Sequence, residues 1–272
     1  MKKTFDIQFN ETDGTVAALR YPDDPDGMNW VEGTAAFGMV QGAQVVSVEK
    51  TENGVHAVYE TPHLRITVDR EICGERYCER YQFEDRLDVD VFFNRGKVGI
   101  YTPFNDNYDR AGVCMTQKCH THIWCGRNSS YIRAVKMGPF PVGLGLVLTE
   151  GSLDTYSIAN REQTSNDRGD FVLHPAVFHL RPGENMTVEW ELFWFADGHF
   201  FDAIEKYDSV LTVDAPQYTV FEGEEIAFSV NRPDVAVKLD GTAAPAETRE
   251  GRTFVRYVPQ RLGDHTFVLQ YG

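Results

Sequence analysis

Apolar and polar residues alternate with period two along much of the first 200 positions. Successive side chains on an extended backbone point to opposite faces, so this pattern predicts strands with one buried face. Such runs fall at Phe5–Phe9, Val16–Leu19, Val45–Glu49, His56–Glu60, Leu64–Asp69 and Arg86–Phe93. They recur at His120–Trp124, Leu144–Thr149, Thr155–Ile158, Asp170–Leu173 and Thr187–Phe195. The last run sets Val188, Trp190, Leu192 and Trp194 on one face. Turn residues separate the runs, as at Asn94-Arg95-Gly96 and Arg181-Pro182-Gly183. Asn53-Gly54 predicts a hairpin with a type I′ turn, because both residues tolerate positive φ. One stretch departs from this rhythm: Phe200, Ala203, Ile204, Tyr207 and Leu211 recur at helical spacing. A linker then reads Val213-Asp214-Ala215-Pro216. Five further strands are expected at Tyr218–Phe221, Glu225–Val230, Val235–Leu239, Thr253–Val258 and His265–Tyr271. The fold expected is all-β: a large antiparallel β-sandwich over 1–198, a linker with a short helix over 199–215, and a small Ig-like β-sandwich over 216–272.

Composition supports a globular chain, with 42% hydrophobic and 25% charged residues. No apolar run approaches the length of a membrane-spanning helix. Acidic residues outnumber basic ones 41 to 26, a formal charge of −15. Such a surface repels phosphate backbones and anionic lipid, so neither nucleic acid nor membrane is an expected partner. Lys2 and Lys3 precede no apolar segment, which reads as a cytoplasmic protein. The cysteines are odd in number, five, and point to free thiols rather than a disulfide framework.

Three segments gather chemistry. Cys114 to Cys125 holds Cys119, His120, His122 and Cys125, ligand types suited to zinc. On a strand His120 and His122 share one face, while Cys119 and Cys125 share the other. The competing reading is that the thiols are small buried hydrophobes. Tyr101 to Arg110 mixes aromatics with Asn105, Asp106, Asn107 and Asp109. Aromatics stack on sugars, and the oxygens suit sugar hydroxyls or calcium; the competing reading is a turn held by Asx bonds. Ser157 to Asp170 carries Arg161, Asn166, Asp167 and Arg168, which suit an acidic sugar or, more simply, a salt-bridged turn. No phosphate-binding loop, dinucleotide fingerprint or Gly-x-Ser-x-Gly elbow occurs, and Gly143-Leu144-Gly145 opens a strand-like run. No cofactor is expected beyond zinc or calcium at these sites.

The order of segments resembles a known architecture. Tyr21 to Val31, Gly99 to Asp106, His120 to Gly126, Leu144 to Gly151, Ser165 to Asp170 and Leu180 to Glu184 resemble the N-terminal supersandwich of bacterial carbohydrate-active enzymes of the six-hairpin glycosidase type. In those enzymes an (α/α)6 barrel follows and usually carries the catalytic acids. The resemblance implies a non-catalytic accessory region of a glycosidase-like enzyme, packed on such a barrel in cis or on a partner chain and shaping its sugar site. It makes Asp106, His120, His122, Arg127 and Arg168 the candidate substrate contacts, with an oligo- or polysaccharide as ligand. The alternatives are a stand-alone carbohydrate-binding or assembly module, and a metal-dependent enzyme using Cys119, His120, His122 and Cys125. A homo-oligomer would be one way to cover the sandwich edges.

Overall fold

A computed structural model describes residues 4–162 and 166–271. Lys2, Lys3 and Ser165, which figure in the sequence reading, lie outside these residues. The chain is mostly β and folds as two compact units, Met1–Ala203 and Ile204–Gly272.

The first unit is built on one eight-stranded antiparallel sheet. Its order is Gln44–Lys50, Gly54–Glu60, Leu64–Cys73, Arg76–Asp85, Asn185–Ala196, Val142–Glu150, Tyr131–Lys136 and Cys119–Trp124. Alternation along these strands sends one set of side chains inward. Val188, Trp190 and Leu192 are fully buried, and Trp194 packs beside them. Smaller sheets form the opposing layer. They are Leu153–Ala159 with Asp170–Pro175 and Ile100–Tyr101, the pair Val91–Phe93 and Phe178–Leu180, and the pair Asp6–Phe9 and Val16–Arg20. Phe5, Leu19, Ile100, Phe104, Phe171 and Leu173 from this side join Ile66, Tyr81, Ile132, Leu146 and Trp190 in one core. The two layers therefore share one largely apolar core, while residues such as Phe92, Tyr156 and Ile158 of the smaller sheets stay exposed.

A closed polar cluster lies within that core. Arg70 and Glu79 are both buried, with Nε and Oε1 3.2 Å apart. Glu79 also accepts from Tyr77 Oη at 2.6 Å, Tyr81 Oη at 2.6 Å and Trp190 Nε1 at 3.1 Å. The guanidinium donates to the Gly14 carbonyl at 3.1 Å, Tyr59 Oη at 3.0 Å and the Gly38 carbonyl at 2.6 Å. A buried charge pair is tolerable when its other polar atoms find partners, as they do here.

Three glycine positions are fixed by close approach. The Asn53-Gly54 hairpin forms, with Gln44–Lys50 paired to Gly54–Glu60, but neither residue has positive φ. The expected type I′ turn is therefore absent. Gly54 already belongs to a strand, and a Cβ there would lie 1.7 Å from the Arg70 carbonyl oxygen. Gly143 and Gly145 form a floor on the outer face of the sheet. A Cβ at each would lie 2.2 Å and 2.4 Å from the ring tips of Phe195 and Phe193 on the neighbouring strand. That packing accounts for the Gly-Leu-Gly run.

The helical expectation at Phe200–Leu211 is shortened. Only Phe200–Ile204 is α-helical. Beyond it Tyr207 and Val210 donate to carbonyls three residues back, so turns continue the spacing without a regular helix. A helix not foreseen spans Ala111–Gln117 and carries Cys114.

The second unit has a four-stranded sheet (Val213–Asp214, Ile226–Val230, Arg252–Tyr257, Ala246–Arg249) and a three-stranded one (Thr242–Ala243, Ala236–Leu239, Phe267–Gln270). Phe228, Val230, Val237 and Val255 form its small core. Tyr218–Phe221 is not a strand, contrary to its pattern. Phe221 is instead held at the Glu222-Gly223 turn, where its N–H donates to the Glu224 carboxylate. No described helix is long and apolar enough to cross a membrane.

Candidate functional site

The loop after Ile100–Tyr101 is stitched in place by its own backbone. Thr102 donates to the Phe171 carbonyl at 2.8 Å, and Asn105 to the Trp30 carbonyl at 3.0 Å. Asn105 in turn accepts at its carbonyl from Cys119 N–H at 2.9 Å, which ties the loop to the edge strand of the large sheet. Tyr108 donates to the Asn166 carbonyl at 2.9 Å, and Asn107 Oδ1 accepts from Arg168 N–H at 2.6 Å. A second anchor is the buried Asp170, which accepts from Thr34 N–H, Ala35 N–H and Asn160 Nδ2 at 3.0, 2.8 and 2.7 Å.

These ties bring Asp106, Tyr108, His120 and Arg168 together. Asp106 is 1% exposed. Its Oδ2 accepts from Thr121 N–H at 3.0 Å. Its buried Oδ1 has no hydrogen-bond partner, and the nearest cation, Arg168 Nη1, stands 3.9 Å away. Burial pushes the Asp106 carboxyl above its ordinary pKa, against the opposing pull of Arg168, the Thr121 amide and His120. The Arg168 guanidinium lies 5.9 Å from the centre of the Tyr108 ring, within cation–π range. The rings of Tyr108 and His120 meet edge to face at 6.2 Å. Beside them Lys118 Nζ donates to Asn105 Oδ1 at 2.6 Å, and Asn105 Nδ2 donates to Glu32 at 2.9 Å. The arrangement can bind an anion through Arg168, stack a ring on Tyr108 and move a proton at His120 or Asp106.

Not every expected residue joins. His122 lies two positions along the same exposed face, opposite Arg133. Arg127 sits in the turn beyond the far end of that strand, bridged through its backbone to Leu153, and is separate from Asp106. The four proposed metal ligands divide between two faces. His120 and His122 are exposed, Cys119 is fully buried, and Cys125 packs against the core. Burial pushes the Cys119 thiol up to about 12 and the Cys125 thiol up to about 11, as suits small buried hydrophobes. Among the described residues no three acidic, His or Cys side chains are gathered as a metal site. Arg161 donates to the Asp167 carbonyl at 3.0 Å, within its own loop. Asn105, Lys118 and Glu32 were not foreseen as a linked set; their types are common, and only the fold brings positions 32, 105 and 118 together.

A groove of 790 Å³ lies in the second unit. Its lining includes Tyr218, Phe221, Phe228, Leu262 and Phe267. Two of its lining residues are tied to Asp240, which accepts from Arg261 at 2.8 Å and holds His265 at 3.0 Å.

The fold and site together define an antiparallel β-sandwich protein with an exposed aromatic and basic site at one edge of its main sheet. No family model matches the sequence, and no curated protein matches it. Among solved structures the chain is similar to a polysaccharide lyase, with TM-score 0.82 and 26% identity. The match covers 98% of this chain and 44% of the lyase, so this chain spans less than half of that protein's length. The heparan sulfate lyase HepC from Pedobacter heparinus overlaps with TM-score 0.40 and 8% identity, over 93% of this chain and 38% of that one. A galactose mutarotase related enzyme from Lactobacillus acidophilus overlaps with TM-score 0.40 and 9% identity, over 70% of this chain and 94% of that one.

Proposed function

We propose that this chain is the β-sandwich portion of a polysaccharide-processing protein, and that the Asp106, Tyr108, His120 and Arg168 site contacts an acidic sugar. The observation that carries this reading is the similarity along 98% of the chain to a polysaccharide lyase. The small unit serves as an Ig-like companion module. The chain acts as an accessory region beside a catalytic domain, in cis or on a partner chain. The resemblance to six-hairpin enzymes suggests an (α/α)6 barrel for that domain.

The chemistry of the site supports an acidic ligand. A guanidinium engages a carboxylate in a planar, two-pronged way. An imidazole and a phenol beside it suit the proton movements of β-elimination, in which the sugar carboxylate must first be quieted. Cleavage by elimination therefore fits the site better than hydrolysis.

Calorimetry of this chain against uronate-containing and neutral oligosaccharides tests the reading. The acidic series should bind, the neutral series should not, and Arg168→Ala should weaken binding at least about tenfold. Equal affinity for both series would overturn it. Tight binding by the chain alone would favour a stand-alone binding module over an accessory wall.

A further inference from the structure

The edge strand Cys119–Trp124 turns His120, His122 and Trp124 to one outward face, since side chains two apart share a face. At about 3.3 Å per residue they form a row roughly 13 Å long. Cross-strand pairing gives each a neighbour on Tyr131–Lys136: His120 faces Val135, His122 faces Arg133 and Trp124 faces Tyr131. Trp124 is 56% exposed, although it is a large aromatic side chain. Its ring lies 6.5 Å from that of Tyr131 at an interplanar angle of 23°. A platform thus begins where His120 meets Tyr108 and ends on Trp124. In a chain of formal charge −15, this row gathers Arg168, His120, His122 and Arg133.

The geometry points to an extended binding track for an acidic oligosaccharide along the outward face of this edge strand. One sugar sits at Tyr108, His120 and Arg168. The chain then continues past the His122–Arg133 pair, and a distal ring stacks on Trp124. This rests on the proposed acidic-sugar site and adds a direction and a length to it. Row length matches a short oligosaccharide, basic side chains match its carboxylates, and the aromatic end matches the apolar face of a pyranose. Trp30 and Trp190 are fully buried and Trp194 packs against the core, so Trp124 is the tryptophan that a surface ligand would cover.

The test is titration of the full chain with uronate disaccharides and tetrasaccharides, with circular dichroism as a check on each variant. The tetrasaccharide should bind about tenfold tighter than the disaccharide. Trp124→Ala and Arg133→Ala should remove that gain, while Trp124→Phe should keep most of it. In the unmodified chain, saturating tetrasaccharide should shield tryptophan emission from iodide quenching; the disaccharide should not. If Arg168→Ala abolishes binding while both alanine variants keep the tetrasaccharide gain, the track is wrong and the acidic-sugar site stands. Unchanged iodide quenching with bound tetrasaccharide would likewise overturn the track. If no acidic oligosaccharide binds at all, the site and the track fall together.

Discussion

Two buried carboxylates in the same sandwich are treated in opposite ways. Glu79 is surrounded by four donors, from Arg70, Tyr77, Tyr81 and Trp190. Asp106 is as deeply buried, yet one of its oxygens has no hydrogen-bond partner and its nearest cation stands off at 3.9 Å. A buried polar atom without a partner costs stability, so a protein retains one where something other than stability is served. Glu79 belongs to the architecture, and Asp106 to the site proposed to contact an acidic sugar. Completeness of hydrogen bonding, rather than depth of burial, separates the two.

The largest effect expected is at the closed cluster. Arg70→Met strands the Glu79 charge in the core and should cost about 3–5 kcal/mol, read as a lower urea midpoint. Adding Glu79→Leu should recover only part of this loss, because the Tyr77, Tyr81 and Trp190 donors then lose their acceptor. Full recovery would mean that the network contributes nothing beyond the ion pair. Next in size is Tyr81→Phe. It removes one donor to Glu79 and should cost about 1–3 kcal/mol by the same measurement.

Asp106→Asn should change stability least, by under about 1 kcal/mol, because the Thr121 amide keeps an acceptor. Its signature lies in pH dependence. The native carboxyl holds its proton more tightly than the unfolded chain does, since burial raises its pKa above 3.8. That contribution is fully present below the ordinary carboxylate value and is lost as pH rises through the raised native value. Unfolding free energy measured over this window should fall in the unmodified chain and flatten in Asp106→Asn. A large stability loss in the variant would erase the contrast with Glu79.

Much of the architecture could be read from the chain because alternation is local. Val188, Trp190 and Leu192 announce their shared face within five residues, and the structure buries all three. Tyr218–Phe221 shows the limit of that rule. Its composition is strand-like, but the Glu222-Gly223 turn holds Phe221 and no strand forms there. For the site, Asp106, His120 and Arg168 became candidates through the resemblance to sandwich loops that rim a sugar site. Their convergence was hidden, because it depends on backbone bonds between positions 105 and 119 and between 108 and 166. Arg127 carried the same kind of signal and lies elsewhere. A residue type gives a chemical capacity, whereas register decides which capacities meet.

The glycine floor constrains how this sequence can change. Phe193 and Phe195 lie where the side chains of Gly145 and Gly143 would be. Adding a methyl at 145 while the ring remains is blocked, whereas shrinking the ring first opens the space for it. The two substitutions should therefore be tolerated in one order and not the other. Positions 145 and 193 form a ratchet in sequence space, and related chains should vary at them as a pair.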